Sequence, residues 1–401
     1  MESLSNHFKG VAAKLLSEVE INPSKSNQHE FNGINELKRL LGSSRRHIDC
    51  MCIFIATDED HRLSQHHQMT WYDSRENHPT RSEHRLYYPA TLEPLKAAAA
   101  GDTLIFGLRP DDSLLVLIIP QNSPQRDELL WLFGIGAELN QRLQIFDPAS
   151  IQLPIALLSY IAEEASIPIS EMANSHQNWA DLVTDRFGLK FPTTRALSSL
   201  ARETLGNDLS AQEEPDIALM KLMDREEELF RCLERRIVSR HLEDNAAGWS
   251  EDVDAFISFS LSVQNRRKSR AGHALENHLE WLFKENNLRY ARGAKTENNS
   301  RPDFLFPGVD EYHSENFPVT KLNMLGVKTT CKDRWRQILS EAHRIERKHL
   351  LTLQPKISQN QLREIGSANV QLVIPSPISQ TEPSAIGLLE FIKQMELTQG
   401  H

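Results

Sequence analysis

Arg301-Pro302-Asp303-Phe304-Leu305-Phe306-Pro307 and Leu325-Gly326-Val327-Lys328-Thr329 decide the fold of the C-terminal half. Each is a short apolar run with one charged residue in it. An Asp at the head of such a run must reach solvent or a positive group. A Lys inside one is costly unless a partner exists. Upstream, Leu275, Leu279, Leu282 and Phe283 have helical spacing, so a helix is expected from about His273 to Asn286. Downstream, a long helix is expected over about Asp333 to His349, then a strand at Val370-Gln371-Leu372-Val373-Ile374. A helix-strand-strand-helix-strand order is an α/β core.

Glu341, thirteen residues beyond Lys328, falls on that expected helix and shares a face with Arg334, seven positions before it. Two carboxylates and one ammonium form the set that phosphodiester hydrolysis needs. Asp303 and Glu341 are candidate ligands for Mg²⁺, a hard cation that keeps several waters. Lys328 is the candidate for orienting the nucleophile and offsetting developing charge. Spacing alone would equally suit an ion-pair cluster at a sheet edge.

The 401 residues carry 45 Lys+Arg against 55 Asp+Glu, a formal charge of −10, with 39% hydrophobic residues. That composition excludes a wholly disordered chain, and the length suggests two domains. The longest apolar stretch, Leu114 to Pro120, is far too short to span a bilayer. No secretion signal is visible at the N-terminus, and the four cysteines do not suggest a disulfide scaffold, so a cytoplasmic location is expected. The acidic total hides an uneven distribution. Residues 261–350 carry 17 basic and 11 acidic groups, net +6, whereas residues 151–260 carry 10 and 20, net −10. A polyanion docks by local sign, and Arg266-Arg267-Lys268 with Arg270 are the candidates for contacts to a phosphate backbone.

The N-terminal part is expected to be β-rich. Cys50 to Ile55, Leu86 to Tyr88, Thr103 to Phe106 and Leu114 to Ile119 are short apolar runs between turn residues. Between about 150 and 260 the pattern turns helical, with Asn207 to Asp216 expected as an exposed linker and the Asp224–Arg240 charge run as a solvated helix face. Cys50, Cys52, His61, His66 and His67 could suggest zinc, but Cys-x-Cys in an apolar run, without a second Cys pair, suits a strand core better.

Three stretches resemble the catalytic domain of EcoRII-type restriction endonucleases, a branch of the PD-(D/E)xK nucleases. They are Val263 to Gly272, Arg301 to Pro307, and Val327-Lys328-Thr329-Thr330-Cys331-Lys332-Asp333-Arg334-Trp335-Arg336-Gln337-Ile338-Leu339. The position two before Lys328 is Gly326, where the superfamily usually has an acid. The resemblance implies that the second acid has moved to Glu341. It further implies that Lys332-Asp333-Arg334 reads outer G·C pairs, chemistry that suits these side chains, and that Glu276 and Tyr312 lie at the catalytic site. Trp71 to Arg75 and Thr80 to Arg85 resemble the effector domain of the same enzymes, a B3-like pseudobarrel. By that resemblance Arg75 and Glu83 touch bases, and Arg81 and Arg85 touch bases or phosphates.

The expected organisation is a B3-like DNA-binding effector domain at 1–170, a helical linker and start of the catalytic domain at 171–245, and a restriction-endonuclease-like α/β (α+β) catalytic domain at 246–401. The expected function is a Mg²⁺-dependent type II restriction endonuclease, a homodimer that cleaves double-stranded DNA at a near-palindromic CC(A/T)GG-type site. It would leave 5′-phosphate ends, use a second copy of the site as effector, and pair with a cognate cytosine methyltransferase. The other readings are a DNA-binding regulator that kept the fold and lost activity, and a nuclease triggered by a different or modified DNA.

Overall fold

The computed structural model describes residues 2–21, 29–33, 35–56, 63–136, 138–165, 167, 177–245, 252–378 and 384–400. The chain divides into two compact units: Met1–Leu153 with Ile161–Met172, and Pro154–Tyr160 with Ala173–His401. Of the expected domain boundaries, 170/171 and residue 246 lie outside the described residues. No helix among the described residues is long and apolar enough to cross a membrane.

The first unit is built on strands β1 (Glu2–Ser3), β2 (Gly10–Leu15), β3 (Glu30–Gly33), β4 (Arg46–Phe54), β5 (Leu63–Asp73), β6 (His84–Tyr87), β7 (Thr103–Leu108), β8 (Leu114–Ile119), β9 (Gln144–Phe146) and β10 (Gln152–Leu153). Short helices α1 (Glu18–Ile21), α2 (Asn35–Leu41), α3 (Glu93–Lys96) and α4 (Arg126–Leu132) connect them. Eight strands form one sheet in the order β3-β6-β5-β4-β8-β7-β2-β9. All its pairings are antiparallel except β4 with β8. β7 and β8, apolar at almost every position and fully buried, lie inside the sheet, as continuous apolar strands should. The core follows the two-residue period: Ile48, Cys50 and Cys52 of β4, Met69 and Trp71 of β5, and Leu114, Val116 and Ile118 of β8 share one cluster. Cys50 and Cys52 are therefore strand core. His66 and His67 lie on β5, and His61 lies outside the described residues.

Helix α5 (Ile155–Glu164) crosses the division between the units. The second unit adds α6 (Gln177–Phe187), α7 (Thr194–Leu205), α8 (Pro215–Asp244), α9 (Val253–Glu285), α10 (Val309–His313), α11 (Gln359–Ser367) and α12 (Leu388–Gln399). Its sheet contains β11 (Ala291–Arg292), β12 (Phe304–Phe306), β13 (Asn323–Lys328), β14 (Lys348–Thr352) and β15 (Val370–Val373), in sequence order. β11, β12 and β13 pair antiparallel, while β13, β14 and β15 pair parallel. Phe283 of α9 anchors helix to sheet, its ring 5.1 Å from Phe304 and 5.3 Å from Phe306, both edge-on.

Four expectations need correction. First, α9 is one continuous helix of 33 residues, so the basic string 266–270 is helical and no break occurs at Gly272. One interior glycine costs about 1 kcal/mol, and packing against α8 and the sheet outweighs it. The Asp252 side chain caps the helix by accepting from the Ala255 amide at 2.9 Å.

Second, the expected helix over Asp333–His349 does not form. A 3-10 helix covers Lys332–Ser340, a turn follows, and the chain re-enters the sheet as β14. Pairing with β13 and β15 draws Lys348 and His349 into β14, so the segment cannot continue as helix to 349. Glu341 and Arg334 therefore share no helix face.

Third, Asn207 to Asp216 is not simply an exposed linker. Asp216 is buried and accepts from the amides of Ser376, Leu388 and Leu389, each at 2.8 Å, tying the start of α8 to the N-terminus of α12.

Fourth, the charge run of α8 is not a solvated face. Glu226, Glu227 and Glu234 are buried. Arg231 and Arg270 bracket Glu227, and Arg267 grips Glu234 with Nε at 2.9 Å and Nη2 at 2.7 Å.

Candidate active site

Asp303 sits immediately before β12, whose register places Phe304 opposite Leu325 of β13. That pairing brings the Asp303 carboxylate across the end of β13. Its Oδ2 accepts from the Val327 amide at 2.6 Å and from Lys328 Nζ at 3.2 Å. Two residues 25 apart in sequence are thus joined at one strand end. Their side chains retain 19% and 20% exposure, enough to be reached from solvent.

Glu341 closes the group. It caps the 3-10 helix in an extended conformation, φ −97° and ψ 147°. Its Oε2 is buried and has no hydrogen-bond partner. Burial first, and then the negative charge of Asp303, push its carboxyl up to about 6; Lys328 and Lys348 oppose that rise. A buried carboxylate oxygen without a donor is costly. The cost is relieved if a cation binds between Glu341 and Asp303. The donor set, two carboxylates, is hard oxygen and suits Mg²⁺ retaining most of its water. Among the described residues no group of three or more His, Cys, Asp or Glu gathers as a metal cage.

Gly326, two positions before Lys328, leaves no room for a side chain. A Cβ at 326 would lie 2.6 Å from Ile338 Cγ2, and Ile338 is itself fully buried. The 3-10 helix is packed down onto β13 at this point, and no side chain fits between them.

The turn after Glu341 is held by groups that spacing alone did not single out. Ala342 has φ +48°, a conformation costing an L-residue about 1 kcal/mol. Glu297 Oε2 accepts from the His343 amide at 3.2 Å. The Tyr312 hydroxyl donates to both oxygens of Glu297, at 2.6 and 2.7 Å, and accepts from the Arg344 amide at 3.3 Å. Arg344 in turn donates to the carbonyls of Tyr312, Ser314 and Phe317. Burial, followed by Glu297, pushes the Tyr312 phenol up to about 12, so it stays a neutral donor. Burial would raise the Glu297 carboxyl, but the Tyr312 hydroxyl and the His343 amide outweigh it and hold the group below its ordinary value. Tyr312 is thus tied to the turn that follows Glu341. Lys348, buried at the head of β14, donates to the carbonyls of Ala342 at 3.1 Å and Ile345 at 2.7 Å. The argument that singles out Lys328, a lysine within an apolar strand, applies equally to Lys348-His349-Leu350-Leu351.

The remaining expected residues are dispersed. Glu276 on α9 is engaged by Arg292 at 2.8 Å, and Arg292 also grips Glu280 at 2.7 Å. Arg270 is not available to a phosphate, because its side chain is 3% exposed and paired with Glu227. Arg267 is committed to Glu234. Arg266 lies over the Phe191 ring at 4.4 Å and is exposed, as is Lys268. Arg334 is exposed on the 3-10 helix, and the side chains of Lys332 and Asp333 lie outside the described residues. In the first unit, Glu83 joins Arg75, 2.6 Å away, and Arg85 in one half-buried network with Asn32 and Glu30. Arg81 is exposed in the loop before β6.

Residues 230–389 match the family model described as EcoRII C terminal. This region resembles the C-terminal part of EcoRII. The type II restriction enzyme EcoRII of Escherichia coli is 43% identical over 207 residues, which cover 51% of this chain and 49% of that enzyme. The chain thus spans about half the length of the curated relative it matches. Among solved structures, metal-depleted Ecl18kI in complex with uncleaved DNA is 20% identical, with a TM-score of 0.46 over 56% of this chain and 86% of that one. The PspGI–substrate DNA complex is 14% identical, with a TM-score of 0.43 over 55% of this chain and 96% of that one. All the site residues just described in the second unit, from Asp303 to Lys348, fall inside the EcoRII C-terminal region.

Proposed function

We propose that this chain is a Mg²⁺-dependent type II restriction endonuclease that hydrolyses double-stranded DNA at a short, near-palindromic site of CC(A/T)GG type. The observation that carries the reading is the juxtaposition of Asp303, Lys328 and the partnerless Glu341 oxygen at the end of β13, within the region that matches the EcoRII C-terminal family model.

Asp303 and Glu341 would hold the ion. Mg²⁺, when bound, neutralises phosphate charge and lowers the pKa of a coordinated water. The other roles belong to the chain. Lys328 presents its ammonium to the scissile phosphate and offsets charge that develops there. Asp303, fixed by the Val327 amide and Lys328, keeps one oxygen in place before any ligand arrives. Arg334, with Lys332 and Asp333, reads base edges in the major groove. Lys268 and Arg266 remain for phosphate contacts, whereas Arg267 and Arg270 are spent on α8. Symmetric cleavage of two strands calls for two copies of the chain about a dyad.

The N-terminal unit is read as a B3-like effector domain over about residues 1–170, with Arg75, Arg81, Glu83 and Arg85 as its DNA contacts. Residues 171–245 serve as helical linker and entry to a catalytic domain at 246–401. A cognate cytosine methyltransferase and a cytoplasmic setting complete this reading.

The test is cleavage of a plasmid carrying several CC(A/T)GG sites, with Mg²⁺, beside Lys328→Ala. Discrete fragments from the wild type alone are expected. Binding without cleavage by the wild type, indifferent to Mg²⁺, would overturn the reading in favour of a DNA-binding regulator.

A further inference from the structure

Lys348 is an expensive residue for its place. It is 6% exposed and opens β14, the strand running parallel to the one that carries Lys328. An ammonium buried this deeply needs its donors satisfied and its charge used. Two of its three donors go to the carbonyls of Ala342 and Ile345. Those carbonyls bracket the turn that begins directly after Glu341. Ala342, held by the first of them, is the residue with φ +48°. The same turn is fastened from its other side by Glu297 at the His343 amide and by Tyr312 at the Arg344 amide. Neutral donors would be enough to cap two carbonyls. A cation here adds positive charge beside the Glu341 carboxylate, the group whose oxygen lacks a donor.

We propose that Lys348 is a positioning residue: by clamping the Ala342–Ile345 turn, it holds the Glu341 carboxylate where it can bind a divalent cation with Asp303. The inference rests on the reading of Asp303 and Glu341 as metal ligands. Lys348 acts through the turn and touches neither metal nor substrate. Groups that orient a ligand typically change metal affinity about 10–100-fold when lost.

The experiment uses the full-length chain without DNA and titrates Mn²⁺, with free ion read by electron paramagnetic resonance. Lys348→Met is expected to weaken Mn²⁺ binding about tenfold or more. Its plasmid cleavage should recover in part as Mg²⁺ is raised, and Lys348→Arg should stay near wild type. Circular dichroism checks that each variant is folded, and if Lys348→Met is not, Lys348→Gln carries the same test. Unchanged Mn²⁺ affinity in the folded charge-free variant would overturn the inference. So would a lower rate with an unchanged Mg²⁺ dependence, which is the mark of a merely structural lysine. Asp303→Asn separates the two levels. If the wild type binds Mn²⁺ no better than Asp303→Asn, the metal-site reading itself fails. If Asp303→Asn loses binding while Lys348→Met keeps it, only the role of Lys348 fails.

Discussion

Two sets of buried carboxylates lie in the C-terminal unit, and they differ in what faces them. Between α8 and α9, Glu227 meets the guanidinium groups of Arg231 and Arg270, and Glu234 meets Arg267. Burial alone would raise the Glu227 carboxyl, but Arg270 and Arg231 outweigh it and hold the group below its ordinary value. At the end of β13, Glu341 is also buried, yet one oxygen has no donor and its carboxyl is pushed up to about 6. Burial is common to both; the supply of donors is not. Glu227 and Glu234 tie α8 to α9 through their guanidinium partners, whereas Glu341 keeps one oxygen without a donor.

Four measurements bear on that contrast. The largest effect is expected at the open site: Lys328→Ala should lower cleavage about a thousandfold or more while leaving thermal unfolding nearly unchanged. A large loss of stability would mean that the cluster at the end of β13 is structural, like the helix pair. Arg270→Met should do the opposite to the matched set. Leaving Glu227 buried and half-paired should cost about 3–5 kcal/mol in denaturant unfolding, and the double variant Glu227→Leu/Arg270→Met should recover most of it.

His349 supplies a third kind of buried group. Burial, then Arg347, lowers its pKa from 6.5 to about 4. The unfolded chain therefore takes up a proton near pH 6.5 that the native chain refuses until about pH 4. Stability should fall as pH drops through that window, by up to about 3 kcal/mol. Denaturant unfolding at pH 7 and pH 5 checks this, and His349→Leu should show a smaller fall.

The smallest effect is the sharpest. A carboxyl whose pKa is raised on folding destabilises the native state above that pKa. Glu341→Gln should therefore gain about 1 kcal/mol at pH 8, discounted for its partial exposure, and lose cleavage. The gain should vanish near pH 4, where the wild-type carboxyl is protonated folded or unfolded. Glu227→Gln should lose stability instead; a gain in both would erase the distinction between the two sets.

The legibility of these features in the sequence follows the same physics. Asp303 and Lys328 stand out because a charge in an apolar strand has few innocent explanations, and the structure joins them. Glu341 could be named, but not its setting. The segment from 333 to 349 reads as helix because a propensity pattern registers neither the 3-10 geometry of 332–340 nor the strand pairing that begins at Lys348. The charges of α8 misled for a related reason. Helical periodicity shows which residues share a face, but not that Arg267 and Arg270 of another helix will cover it. The core of the N-terminal sheet was plainer, since Cys50 and Cys52 alternate with their neighbours as strand core does.

The close fit of Ile338 over Gly326 has a consequence for how such a site can change over time. Any side chain at 326 requires a smaller residue at 338, and that smaller residue on its own leaves a void under the 3-10 helix. The two positions therefore exclude each other's larger residues and can change only together.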